Sequence, residues 1–374
     1  MDIRFSTNIA EDELLIYGSL GTGTWLTQET KTRASSSYML NLTVLPNTDG
    51  VSRTAYIYFV KVTDMESIVV EMVTIIQRGE VASESTDYSS DKKVRVLQTA
   101  KLGKGLPIVL MGDGFIDTEI NDGTYDAVMD KAFENLFTEE PIKSLRDYFN
   151  VYAVTAVSKH NIFGTGYETA LGCELAGGNS TGISGEDNAV QRYVQCVDNI
   201  DMSETLAVVI LNSPAYAGTT YFGYTNQTKV VEFAIAYCPV IYDLQSESFR
   251  QVLVHEAVGH GFAKLEDEYA YQENGTISSK EIKNVQYLQT LGWAQNVDFT
   301  SDPSQVLWSA FLNDNRYVSE KLGVFEGACT YIKGAYRSSE ESMMNGNTQG
   351  FNAPSRKAIY DKIMERSLEK QMSY

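Results

Sequence analysis

Two of the chain's three histidines lie five residues apart, and a glutamate directly follows the first of them. The segment reads His255-Glu256-Ala257-Val258-Gly259-His260, and three acidic residues follow at positions 266 to 268. Neutral imidazole nitrogens and a carboxylate are the ligands that a catalytic zinc takes from a protein, leaving a fourth position for water. A carboxylate beside that water can accept its proton. The residue types therefore predict the centre of a zinc hydrolase.

The spacing is one residue longer than the His-Glu-x-x-His signature, which places both histidines on one helix face. At roughly 100° per residue, position i+5 of an α-helix points about 140° away from i, whereas i+4 is only about 40° away. A π-bulge would restore the alignment of His255 and His260, and Gly259 tolerates unusual backbone geometry. The alternative is an ordinary, partly buried helix that ends in solvated acidic residues.

The segment from His255 to Tyr269 resembles the active-site segment of the IgA-peptidase family of zinc metallopeptidases. The family pattern is His-Glu, a spacer that ends in Gly-His, and then Leu-x-Asp-Glu-Tyr, which here spans 265–269. Further segments resemble the family in the same order, over about residues 93–370: Met111–Phe115, Phe149–Ser158, Leu211–Ser213, Glu326–Ala328, Tyr336–Arg337 and Ser342–Met344. The resemblance implies an α/β zincin-like fold, Zn2+ as cofactor, and an endopeptidase that hydrolyses extracellular proteins, such as IgA or other glycoproteins.

The resemblance also implies roles for individual residues. His255, His260 and Asp267 would hold the metal, and Glu256 would activate the attacking water. The residues alone leave the third ligand open, because Glu266 stands at the offset used in longer zinc-peptidase motifs and Glu268 is also close.

Other segments are weaker candidates. Tyr336 could donate its hydroxyl to the developing oxyanion as a second catalytic residue. Met343–Met344 could form a turn beneath the metal, but gap-filling core residues explain two methionines equally well. Asp113 follows a strand in a glycine-rich turn, so it is either a cation ligand or, more commonly, a turn cap. The resemblance also implies that Thr219–Gly223 could be an edge strand beside the metal helix that aligns the substrate.

Residues 1–80 predict a separate all-β unit. Thr54–Val60 and Ser67–Gln77 are rich in β-branched and aromatic residues, and Asn47–Gly50 supplies a turn, which together indicate a small immunoglobulin-like β-sandwich. This region resembles the BACON module, which is typical of secreted Bacteroidetes proteins and for which sugar or mucin binding has been proposed. A spacer is the alternative role for it.

Residues 81–92 are polar and lack apolar periodicity, which predicts a linker, and residues 93–374 would form the catalytic domain. Within that domain, Leu106–Met111, Phe149–Val157 and Leu206–Leu211 read as buried strands of a central sheet. Ser246–Gly261 is the candidate metal helix. The domain order is thus a β-sandwich, a linker and an α/β metallopeptidase domain.

The net charge of −19 argues against nucleic acid or an anionic membrane as a partner, because both require a basic surface. No apolar run is long enough to cross a bilayer. Four cysteines are too sparse for a disulfide scaffold, although Cys173 and Cys196 could be bridged.

We expect a secreted or surface-anchored protein, although no signal segment is recognisable in this chain. Its partner would be a protein or peptide substrate, with glycan or mucin as a further partner of the first unit. A non-catalytic adhesion protein with a degenerate peptidase-like domain is the alternative function.

Overall fold

The computed structural model describes residues 2–6, 9, 13–19, 26–34, 37–44, 53–63, 67–77, 82–176, 180–223 and 231–368. The chain divides into two compact units. One comprises Met1–Ser83 with Ala176–Ser180, and the other comprises Glu84–Leu175 with Thr181–Tyr374. The predicted boundaries at residues 80 and 92 remain predictions.

The first unit is rich in strands, as its β-branched and aromatic sequence predicts. Its strands are β1 (Asp2–Ser6), β2 (Leu14–Ser19), β3 (Leu26–Ala34), β4 (Ser37–Val44), β5 (Arg53–Val62) and β6 (Ser67–Gln77). They form two antiparallel sheets with the orders β1-β4-β3 and β2-β5-β6. In β5, Ala55, Ile57 and Phe59 are buried and Tyr56 is exposed, which is the alternation of a half-buried strand. The predicted turn Asn47–Gly50 lies outside the described residues.

The second unit is built on a six-stranded mixed sheet. Its strands are β7 (Val94–Gln98), β8 (Leu106–Asp113), β9 (Phe149–Val154), β12 (Leu206–Leu211), β13 (Thr219–Phe222) and β14 (Ala234–Pro239), in the order β13-β14-β12-β8-β9-β7. The four inner strands are parallel, whereas β7 and β13 run antiparallel at the two edges. The three predicted core strands are confirmed as β8, β9 and β12.

This sheet is buried on both faces, because successive residues of its inner strands enter two different cores. In β8, Ile108 and Leu110 belong to one apolar cluster, whereas Val109 and Met111 belong to the other. Burial of one such side chain contributes about 1.5–3 kcal/mol. Continuous apolar runs are therefore the expected sequence of these strands.

Helices cover both faces of the sheet. The α-helices of the described residues are α1 (Asp117–Asn121), α2 (Thr124–Leu136), α3 (Asp187–Val194), α4 (Glu247–Leu253), α5 (Ser279–Thr290), α6 (Ser309–Leu312) and α7 (Ala353–Ser367). A π-helix, Val254–Phe262, continues α4, and 3-10 turns span Arg146–Tyr148, Met202–Glu204, Gln272–Asn274 and Asn315–Glu320. α2, α4, α7 and the π-helix bury their apolar residues in one core, and α3 buries its own in the other.

Smaller elements complete the unit. The two-residue strands β10 (Glu174–Leu175) and β11 (Ile183–Ser184) pair antiparallel. A separate three-stranded antiparallel sheet contains β15 (Val297–Asp298), β16 (Phe325–Ala328) and β17 (Tyr331–Arg337). All four cysteines are free thiols, so no bridge joins Cys173 to Cys196. No helix among the described residues is long and apolar enough to span a membrane.

The polar stretch that precedes β7 is hydrogen-bonded to the second unit from Ser85 onward. The Ser85 hydroxyl donates to Ser158 O at 2.7 Å, and the backbone N–H groups of Thr86 and Asp87 donate to the Asp117 carboxylate at 2.9 and 2.8 Å. Hydrogen bonds between side chains and the backbone thus hold this segment in place, although its sequence has no apolar periodicity. Sequence reasoning missed these contacts, because the partners are about 30 or more residues away.

The buried Tyr125 hydroxyl joins three backbone groups and offers a test of this core. It donates to Val154 O at 2.7 Å and accepts from Gly112 N at 2.8 Å and Ala156 N at 3.2 Å. Tyr125→Phe leaves these groups unpaired and should lower the free energy of unfolding by about 1–3 kcal/mol in urea denaturation. Tyr360→Phe, at an exposed position, is the control. An equal loss of unfolding free energy in both variants would contradict the role assigned to the Tyr125 hydroxyl.

Candidate metal centre

The helix that carries both histidines changes its winding where they begin. α4 ends at Leu253, and a π-helix continues from Val254 to Phe262. At its end, Ala263 N donates to Val258 O, five residues back, at 3.0 Å. A helix with i→i+5 hydrogen bonds has more residues per turn than an α-helix, so residues five apart return to one side. The predicted π-bulge is therefore confirmed, and it extends over nine residues.

Backbone carbonyl groups orient both imidazoles. His255 Nδ1 lies 2.9 Å from Met343 O, and His260 Nδ1 lies 2.7 Å from Leu265 O. A carbonyl can only accept, so each Nδ1 is the protonated nitrogen of its ring. Both Nε2 atoms are then free to act as ligands, which is the usual arrangement at metal-binding histidines.

The two Nε2 atoms and one carboxylate oxygen of Asp267 form a tight triangle. The Nε2 atoms are 3.0 Å apart, and Asp267 Oδ1 lies 3.3 Å from His255 Nε2 and 3.2 Å from His260 Nε2. Tetrahedral zinc with ligands at about 2.0–2.1 Å holds its ligand atoms about 3.3 Å apart. The triangle thus has the chemical types and the dimensions of three zinc ligands, and it is the only such group among the described residues.

The electrostatics of the triangle favour a positive charge at its centre. Burial acts to lower the pKa of His260, but the Asp267 carboxylate outweighs it and raises this pKa to about 10. Burial likewise acts to raise the pKa of Asp267, whereas His260 and the hydrogen bonds from both imidazoles hold it far below its usual value. A proton and a metal cation compete for this position, so metal binding should release a proton.

Glu268, next to the candidate ligand Asp267, has a structural role. It is fully buried, and its carboxylate accepts from Ser342 Oγ at 2.7 Å, from Asn352 Nδ2 at 2.8 Å and from Asn296 Nδ2 at 2.9 Å. Its backbone N–H donates to Met344 O at 2.8 Å. Glu268 therefore ties the Asp267 segment to the turn whose Met343 carbonyl orients His255.

The Glu256 side chain opens onto a cavity of about 340 Å³. The lining residues are Thr181, Tyr216, Ala217, Gly218, Val252, His255, Glu256, Tyr269, Ala270, Tyr271, Asn345, Gly346 and Asn347. Apart from the candidate metal ligand His255 and the candidate base Glu256, these described residues carry no charge. A neutral cleft thus lies against the metal centre in a strongly acidic chain.

The other predicted site residues are not part of the triangle. Tyr336 is in β17 and is not among the described residues that line the cavity. Glu266 is not part of the triangle. Asp113 is fully buried, and its carboxylate accepts four hydrogen bonds, from Ser158, Thr169, Leu171 and Cys173, as a turn cap does. The predicted edge strand is confirmed as β13, which contacts the π-helix.

Met343 and Met344 are both fully buried in the core that includes the π-helix. A side chain at Gly259 would collide with Met344 Sδ, so the glycine lets the methionine turn pack directly against the helix. The core-filling interpretation is confirmed, whereas a turn beneath the metal stays a prediction, which the contact of the Met343 carbonyl with His255 supports.

Sequence reasoning missed Thr220, whose hydroxyl contacts Glu256, and the tyrosines Tyr216 and Tyr271 that line the cavity. The only available signal for Thr220 was its place in the predicted edge strand. Tyr216 and Tyr271 belong to no recognisable motif. The chain has 23 tyrosines, and nothing in the sequence distinguishes these two from the others.

Two family models match the sequence. The model described as IgA Peptidase M64 matches residues 94–319, more than half of the chain, and this match includes the π-helix and all three residues of the triangle. The model of the BACON domain, described as an N-terminal binding domain, matches residues 15–78. No curated protein matches the chain. Both resemblances expected from sequence motifs are confirmed.

The choice of third ligand is testable by metal analysis. Loss of a residue that only orients a metal ligand lowers metal affinity about 10- to 100-fold. Asp267→Asn weakens a direct ligand, so it should lower the zinc affinity by more than that. Glu266→Gln is the matched control and should bind zinc as the unchanged protein does. Equilibrium dialysis with elemental analysis measures both, and the opposite pattern would identify Glu266 as the ligand.

Proposed function

The chain belongs to the IgA peptidase M64 family, and from this membership and the geometry of the metal centre we propose that it is a zinc-dependent endopeptidase. The family consists of metallopeptidases, so membership supports peptide hydrolysis with a metal. The zinc identity, the roles of single residues and the class of substrate are the proposed part.

One observation carries the choice of zinc. His255 Nε2, His260 Nε2 and Asp267 Oδ1 lie 3.0–3.3 Å from one another, and both histidines are oriented by backbone carbonyls. Two imidazoles and one carboxylate are a typical ligand set of catalytic zinc, whereas calcium and magnesium prefer oxygen ligands alone. When bound, zinc would supply Lewis acidity to the attacking water and to the scissile carbonyl.

Glu256 is the proposed general base. It follows His255 directly on the π-helix, is 8% exposed and lines the neutral cavity. A proton from water would pass to its carboxylate and then to the amine nitrogen as the peptide C–N bond breaks and the new C–O bond forms. The surrounding cleft would exclude most of the bulk solvent from this exchange.

The cavity supports a substrate with uncharged residues around the cleaved bond. Tyr216 and Tyr271 are about half exposed at the cavity, and Asn345 and Asn347 supply amide groups. Aromatic faces and amides bind apolar and polar neutral groups without a charged partner. An extended protein segment, as in IgA or another extracellular glycoprotein, meets these requirements.

The same proposal includes the fold and boundaries of each domain and the location of the protein. We infer an immunoglobulin-like sandwich over residues 1–80, a linker over 81–92 and a zincin-like catalytic domain over 93–374. The first unit would bind glycan or mucin, or act as a spacer, and the protein would act outside the cell or at its surface. The two three-stranded sheets and the BACON match support the first of these assignments.

The alternative function was a non-catalytic adhesion protein with a degenerate peptidase domain. Its support was the extra residue between the histidines, which an α-helix would not accommodate. Since the π-helix brings the two imidazoles together, no observation now favours this alternative.

Glu256→Gln tests the proposed base. The substitution removes the proton acceptor but keeps the shape, so kcat should fall at least about 100-fold while the zinc content stays at one per chain. The assay is digestion of a peptide library with the zinc-loaded protein. Glu247→Gln on α4 is the control, because Glu247 is exposed and pairs with Arg250. Full activity of Glu256→Gln would contradict the proposed role.

The neutral cleft makes a separate prediction about specificity. Peptides with Asp, Glu, Lys or Arg next to the cleaved bond should be poor substrates in the same library. Tyr271→Ala should raise KM about 10-fold, which corresponds to about 1.4 kcal/mol of lost binding. Tyr360→Ala, remote from the cavity on α7, should leave KM unchanged. Preferred cleavage beside charged residues would contradict this account of the cleft.

A further inference from the structure

The edge strand β13 presents one threonine to the π-helix and two residues to the opposite side. The Thr220 hydroxyl lies 2.8 Å from Glu256 Oε2 and 2.9 Å from the Glu256 backbone oxygen. Thr219 and Tyr221, its neighbours, instead hydrogen-bond with Ile183. This alternation follows from the pleat of a strand, so the contact between Thr220 and Glu256 is fixed by the register of β13.

The second carboxylate oxygen of Glu256 lies against the glycine that precedes β13. A Cβ atom added to Gly218 would be 2.8 Å from Glu256 Oε1, 2.9 Å from Glu256 Cγ and 2.7 Å from a methyl group of Val252. A side chain at position 218 would therefore displace the carboxylate. Gly218 and Glu256 both line the cavity, so this oxygen lies at the wall of the space where substrate would lie.

The two oxygens of this carboxylate thus have different surroundings. Oε2 accepts from the hydroxyl of the half-buried Thr220, whereas Oε1 lies beside Gly218 and accepts no hydrogen bond from the described residues. The Thr220 hydroxyl has one proton to donate, and two acceptors of Glu256 lie within reach, the carboxylate and the backbone carbonyl. A carboxylate accepts more strongly than a backbone carbonyl. The hydroxyl therefore orients the carboxylate rather than the backbone.

We propose that Thr220 is a positioning residue which holds Oε2 of Glu256 and so selects Oε1 as the oxygen that takes the proton from water, in a space that Gly218 keeps open. This inference rests on the proposed peptidase function. A correctly oriented base matters because proton transfer requires hydrogen-bond reach in a defined direction, and a small displacement lowers the rate.

Thr220→Val replaces the hydroxyl by a methyl group of similar size and is the direct test. In the zinc-loaded protein, kcat should fall roughly 10- to 100-fold, the range expected for one hydrogen bond to a charged group, and KM should stay within about threefold. Thr220→Ser keeps the hydroxyl and should restore kcat to within about threefold of the unchanged protein. Gly218→Ala should lower kcat at least about 10-fold.

Thr205→Val is the matched control. Thr205 is a buried threonine that precedes β12, and its hydroxyl donates to Asp201 O at 2.8 Å, so its loss tests the general effect of removing a buried hydroxyl. Zinc content and the melting temperature of each variant show whether the centre and the fold are retained. If Thr220→Val does not fold, Thr220→Ala provides the same comparison with Thr220→Ser.

The outcomes separate this inference from the function on which it rests. A protein that hydrolyses peptides, loses activity in Glu256→Gln and keeps kcat in Thr220→Val overturns the inference alone. The same holds if Thr220→Ser fails to restore kcat, or if Thr220→Val loses its zinc. Absence of hydrolysis in the zinc-loaded unchanged protein overturns the proposed function together with the inference.

Discussion

The proposed metal centre depends on the winding of one helix, because two histidines five residues apart come together here where the backbone is wound with i→i+5 hydrogen bonds. Such winding is rare, and tertiary contacts stabilise it here. Gly259 lets Met344 pack against the helix, and Gly261 lies close to Leu206 of β12. At its end, Lys264 adopts a left-handed conformation with φ of 57° and donates its ammonium group to backbone oxygens of Gly261 and Glu232.

A second group of contacts fixes the side chains once the helix is formed. The carbonyl groups of Met343 and Leu265 hold the imidazoles, and the buried Glu268 carboxylate joins the ligand segment to the methionine turn. A buried carboxylate with neutral donors is expensive to desolvate, and burial raises its pKa. Such a group is tolerated when every acceptor position is used, as it is here. Rigid support of this kind keeps metal ligands in place before the metal binds.

Much of this arrangement was predictable from local sequence. The core strands followed from their apolar runs, the distorted helix followed from the histidine spacing with Gly259, and Asp267 followed from the resemblance. The missing parts are contacts between distant segments, such as Thr220 with Glu256, 36 residues apart, and Ser342 with Glu268, 74 residues apart. No local pattern encodes such pairs, because they depend on how distant segments of the chain pack together. The catalytic role of Tyr336 stays a prediction, since this residue lies in β17 and is not among the described residues that line the cavity.

One zinc ion would join His255 and His260 of the π-helix to Asp267 of the loop that follows it. Anomalous diffraction at the zinc absorption edge, from crystals of the zinc-loaded protein, tests it most directly. We expect one strong peak about 2.0–2.2 Å from both Nε2 atoms and from an Asp267 oxygen, with the π-helix intact. An α-helical segment with the two imidazoles facing apart, and no peak between them, would contradict the account.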